Sequence, residues 1–202
     1  MIVDNIQKLK KTLKSKYASI YLFHGVIKNK LKSNSVRNYN NKHLSVKKFE
    51  KYIKYLSHNG NSISLNDITK NKNLKNKFAV TFDDGFYNNY KYALPILKKY
   101  NVPHIIYLTS NYVDKNLISW IDRVDIAIDK TKKKEIYSNI LKKKFIINSK
   151  KKKIKFLNHI RFYCKSLKKK DLNKFTDKFL KNIKLKSPLK SNGDLDKKLN
   201  WK

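Results

Sequence analysis

Phe78-Ala79-Val80-Thr81-Phe82-Asp83-Asp84-Gly85 is an apolar run that ends on two adjacent carboxylates and a glycine. Such a run suits a strand buried on both faces, as in a parallel sheet. The two acids then stand at the strand's carboxyl end, where parallel α/β folds keep their working residues. Burying adjacent carboxylates is costly unless their charge is used. A hydrolytic metal site uses both, one as ligand and one as base. Gly85 permits the tight turn that such a placement needs.

Working outward, Lys77–Phe82 reads as a strand and Asn88–Tyr100 as a helix with Tyr90, Ala93, Leu94 and Leu97 inward. Pro95 bends this helix or marks its first turn. After Val102-Pro103, His104–Leu108 reads as a second strand. Strand, helix, strand is a βαβ unit, so the sheet should be parallel. Upstream, Ala18–Phe23 is a further buried-strand candidate, ending at His24-Gly25. His24 would then share the carboxyl edge with Asp83 and Asp84. Residues 27–43 read as a polar loop. Ser45 caps a helix with Val46, Phe49, Ile53 and Leu56 on one face, stopped at Asn59-Gly60. A short strand is expected near Ser62–Ser64, then a polar connection from Asn66 to Lys77. Residues 3–15 read as an amphipathic helix.

Beyond Trp120–Ile128, which looks helical, residues 131–183 are lysine-rich with helical spacing. The stretch from Ser187 to Asp196 reads as a loop, and Leu199-Asn200-Trp201 as the beginning of another element. The domain boundaries expected are an amino-terminal helix over 1–16, an α/β region over 17–129, and a helical insertion with the start of a strand over 130–202.

The net charge of +35 invites a nucleic-acid reading. Of 49 basic residues, however, only Arg37, Arg123 and Arg161 are arginine, the residue that bidentate phosphate and base contacts favour. The lysines run through the whole chain alongside Asn, Ile and Tyr. A solvated lysine surface is the simpler reading, and no specific nucleic-acid partner is expected. With 40% hydrophobic and 12% aromatic residues the chain can bury a core. Cys164 is alone, which excludes a disulfide framework. No run approaches the roughly 18 apolar residues of a membrane span. The amino terminus lacks the continuous apolar core of a secretory signal, leaving cytoplasmic as the default compartment.

At Phe78–Ser110 the chain resembles the polysaccharide deacetylase family, the NodB-homology domain of carbohydrate esterase family 4. The resemblance rests on Phe78 to Phe86, on Tyr92-Ala93-Leu94-Pro95-Ile96-Leu97, on Asn101-Val102-Pro103, and on the strand from His104. Tyr21 to Val26 and Leu44-Ser45-Val46 resemble the family's first strand and first helix, and Trp120-Ile121-Asp122-Arg123 resembles a subgroup with a helical insertion. It implies an α/β fold, a partial distorted parallel β/α barrel with a lysine-rich helical insertion at the carboxyl end. It implies hydrolysis of N-acetyl groups on a glycan, with a divalent metal, zinc, activating water. By position Asp83 matches the catalytic base and Asp84 the carboxylate ligand; Gly85 would line the site beside them, and His24 either lines it too or is a satisfied histidine in the core or at the sheet's end. As a helix N-cap alone, the pair would need only one Asp.

The family completes its metal set with two histidines in an H-(S/T)-x-x-H pattern. Here His24, His43, His58, His104 and His159 all lie more than five residues apart, and the last four read as structural or solvated. The resemblance therefore implies an amino-terminal portion of a deacetylase, inactive alone. Metal would bind it weakly, and a carboxy-terminal half would complement it. A non-catalytic relative that binds a glycan or a partner is the alternative, and a basic nucleic-acid binder a further one.

Overall fold

The computed structural model describes residues 6–28, 31–113, 117–138, 142–183 and 193–201, arranged in two compact units. The expected helix over 3–15 at residues 3–5, and the expected loop over 187–192, lie outside these. No described helix is long and apolar enough to cross a membrane.

The first unit comprises residues 1–30, 40–116 and 192–202. Its elements are α1 (Ile6–Leu13), β1 (Ser19–Phe23), β2 (Gly25–Ile27), β3 (His43–Ser45), α2 (Val46–Asn59), β4 (Asn61–Ser62), β5 (Lys77–Phe82), α3 (Leu94–Lys99) and β6 (His104–Ile106). β5 is the centre, buried from Phe78 to Phe82. β1 runs parallel along one side of it, with Phe23 opposite Phe82. β4 and β6 pair, also parallel, with Lys77–Phe78 and Val80–Phe82 respectively. The result is an open parallel sheet of four strands among the described residues, the α/β architecture expected, without barrel closure. β2 and β3 form a separate parallel pair, so both ends of the 27–43 stretch read as loop are strand.

The core follows from periodicity. Tyr21 and Phe23 alternate inward along β1. α2 starts where Ser45 Oγ accepts the Lys48 N–H, and it buries Phe49, Tyr52, Ile53 and Leu56. Phe23 meets Phe49 edge to face at 5.1 Å between centroids. Each such buried side chain contributes about 1.5–3 kcal/mol.

The helix after the turn departs from expectation. Asn89–Ala93 is a π-helical turn in which the Leu94 N–H donates to Asn89 O. Pro95 opens α3 within its first two positions, and it has no N–H for the carbonyl four residues back. The extra residue rotates the helix phase. Ala93, Ile96 and Leu97 face inward, while Tyr90, expected inward, is 57% exposed.

The second unit comprises residues 31–39 and 117–191. It holds α4 (Trp120–Lys130), an antiparallel hairpin of β7 (Glu135–Ser138) and β8 (Lys143–Ile146), α5 (Lys150–Lys165) and α6 (Lys169–Asn182). The hairpin replaces helix where helical spacing was read. Ile136 lies opposite Phe145, so apolar residues meet across strands every second position. Val124, Ala127, Ile128, Phe156, Leu157 and Phe179 are among the residues that pack this unit's own core.

Candidate active site

His24 and Asp83 follow the paired ends of β1 and β5, and the Asp83 N–H donates to Phe23 O at 3.0 Å. The ladder thus continues one residue past each strand and brings the two residues to the same sheet edge. The chain then turns through two successive left-handed residues, Asp84 at φ 68° and Gly85 at φ 58°. Asp tolerates that region better than most residues. At Gly85 the positive φ favours glycine, and an added Cβ would also push aside Leu108 Cδ2, 2.7 Å away. The turn is held from the far end of the sequence. Leu199 N–H donates to Gly85 O, and Tyr87 N–H donates to Lys197 O, both at 2.8 Å. Phe86 and Lys198 form an antiparallel bridge.

The turn's next residue, Phe86, is fully buried and supports two cations. Lys198 Nζ lies 3.3 Å from its ring centroid and Lys42 Nζ 4.6 Å from it. Lys42 also pairs with Asp84, Nζ to Oδ2 at 3.0 Å. Burial pushes the Asp84 carboxyl up, but the charge and hydrogen bond of Lys42, joined by Lys198 and His24, outweigh it and hold the group below its ordinary range. Burial pushes the His24 imidazole down. Asp84 and Asp83 pull it up and Lys42 and Lys198 push it further down, leaving it below its ordinary range and neutral at pH 7.

Behind the turn, Asn88 is 1% exposed and fixes three segments. Its Oδ1 accepts from Val26 N–H at 3.3 Å, while Nδ2 donates to Asp194 O at 2.7 Å and to His43 Nδ1 at 3.0 Å. His43 therefore presents Nδ1 as an acceptor, edge-on to Phe86. It is a buried structural residue. Asn89 Nδ2 donates to His24 O at 2.9 Å and so sets the backbone beneath that imidazole.

The structure thus gathers His24, Asp83, Asp84 and Gly85. His58 lies elsewhere, donating from Nδ1 to Lys54 O near the end of α2, and His104 starts β6. Sequence reasoning missed Lys42, Phe86, Asn88 and Lys198. The paired asparagines after the turn were a readable signal. Two lysines among so many were not.

A divalent ion needs three or more protein donors for a catalytic site. Among the described residues no three His, Cys, Asp or Glu side chains cluster in that way, and the carboxylate placed to be a ligand already pairs with Lys42. As arranged, the donor set does not fit the metal that the resemblance implied.

The family model of polysaccharide deacetylase matches residues 70–181, more than half of the sequence. The chain belongs to the polysaccharide deacetylase family. Among solved structures it is similar to IcaB from Ammonifex degensii, at 19% identity and TM-score 0.43, over 57% of this chain and 50% of that one. It is also similar to a de-N-acetylase from Aggregatibacter actinomycetemcomitans, at 20% identity and TM-score 0.39, over 65% of this chain and 46% of that one. A polysaccharide deacetylase from Bacillus cereus matches at 23% identity and TM-score 0.37, over 48% and 31%. This family member spans half or less of the length of each. No curated protein matches it.

Proposed function

We propose that this chain carries the carboxylate half of a carbohydrate N-deacetylase site, with an N-acetylated glycan as substrate. One observation supports it above the others. In a member of the polysaccharide deacetylase family, His24 and the Asp83-Asp84 pair meet at the carboxyl edge of adjacent parallel strands. In this reading water attacks the acetyl carbonyl carbon, and Asp83 accepts the water's proton. The carbon–nitrogen bond then breaks, the amine takes up a proton, and acetate leaves. The neutral His24 lines the site beside the reacting group. Asp84, with its carboxylate kept ionised, is the residue that matches a ligand position in the family. Zinc belongs to the completed site, which needs further donors from a complementing carboxy-terminal half. The 202-residue chain alone is inactive in this account.

Titration of the isotope-labelled chain with an N-acetylated chitooligosaccharide, followed by amide NMR shifts, tests the site. Shifts concentrated at His24 and Asp83–Gly85, and weaker with the deacetylated oligomer, are expected. Shifts confined to other parts of the chain would remove the basis for the reading.

A further inference from the structure

The carboxylate that the family would give to a metal is already occupied, and the occupant is built in. Lys42 immediately precedes β3, whose pairing with β2 fixes its backbone beside the turn. Its side chain is only 19% exposed. The contacts that hold the ammonium include Asp84 Oδ2 at 3.0 Å and the Phe86 ring at 4.6 Å. Lys198 holds a second ammonium on that ring at 3.3 Å and is itself 7% exposed. A metal ion approaching Asp84 would therefore meet one positive charge on its ligand and another behind it. Ammonium and divalent ion cannot share one carboxylate edge without strong repulsion.

We infer that Lys42 is an internal counter-cation that holds Asp84 in place of a metal, so that Lys42 must leave before Asp84 can bind a metal. This rests on the reading of Asp84 as a ligand, but its test does not depend on deacetylation. The pairing also keeps the Asp84 carboxylate oriented by a contact within the chain itself. Lys42 is a positioning residue here, since it acts on Asp84 and not on substrate.

The experiment is a manganese titration of the full chain, read as paramagnetic broadening of the Asp83–Gly85 amide signals. This detects weak local binding. Replacing Lys42 by Met removes the charge and keeps the length of the side chain. Lys42→Met should reach half-broadening at a manganese concentration at least about fivefold lower than the wild type; deleting one unit charge roughly 4 Å from a divalent ion is worth about thirtyfold in unscreened water, and salt lowers that factor. Lys70→Met, which removes an equal charge from the exposed Lys70–Asp67 pair, should leave the half-point within about twofold. Adding Asp84→Asn to Lys42→Met should abolish the gain, and Asn suits the left-handed backbone there. An equal gain from Lys70→Met, or a gain that survives Asp84→Asn, would overturn the inference. If Lys42→Met loses the native amide spectrum, Lys42→Gln serves the same comparison. The glycan titration reports separately on the deacetylase reading, so either can fail alone.

Discussion

Gly85 shows how much of the site depends on single backbone positions. Its φ of 58° strains any side chain placed there, and an added Cβ would displace the Leu108 methyl 2.7 Å away. Gly85→Ala should cost about 1–3 kcal/mol, combining left-handed strain with overpacking. Gly193→Ala, where nothing lies within 4 Å, should change stability by no more than about 0.5 kcal/mol. Urea denaturation of both variants checks this, and equal costs would argue against the turn geometry. Asp83, Asp84 and Gly85 were legible in the sequence because two acids and a glycine at the end of an apolar run have few structural uses. Lys42 and Lys198 were not. Their roles arise from contacts that span tens of residues, and nothing in the local pattern separates them from the other lysines.

At the level of elements, the βαβ unit around β5 was readable from the apolar runs and the turn residues. The π-helical turn over Asn89–Ala93 was not, because it follows from the clash of Pro95 with a regular ladder, and it moved Tyr90 to the surface. The hairpin β7–β8 was missed for a different reason: its lysines carry no period, and Ile136 and Phe145 alone do not distinguish strand from helix. Elements are tied together by Asn88, which joins β2, β3 and the segment at Asp194. Asn88→Ala would remove the acceptor of the Val26 N–H and the donor to His43 Nδ1 and Asp194 O. A loss of about 2–4 kcal/mol is expected, together with altered amide signals at Val26. A variant as stable as wild type would show that these hydrogen bonds contribute little.

At the scale of the whole molecule, each unit has its own core and its own buried charge. In the second unit Asp125 is 5% exposed and pairs with Arg161, whose other nitrogen donates to Tyr39 Oη. Burial pushes Asp125 up to about 6, although Arg161 pulls it down; nearby Asp122 adds to the rise and Arg37 opposes it. A carboxyl whose folded value is raised binds its proton more tightly in the native state than when unfolded. Its ionised form therefore burdens the fold above pH 6, and the burden is relieved as pH falls from about 6 toward the ordinary value near 3.8. Relative to Asp125→Asn, which cannot titrate, the wild type should gain stability between pH 7 and pH 5 in urea unfolding. No relative gain would mean that Arg161 keeps the carboxyl ionised throughout.

The open sheet and the incomplete donor set lead to the same expectation for activity. The most direct measurement is acetate release from an N-acetylated chitooligosaccharide in the presence of zinc. It compares the chain alone with the chain mixed with a histidine-bearing carboxy-terminal half of a related deacetylase. No release by the chain alone is expected. The mixture should release acetate, and Asp83→Asn should lower that release by at least about a hundredfold, the size expected for loss of a general base. Release by the mixture that is indifferent to Asp83→Asn, or turnover by the chain alone, would contradict that expectation.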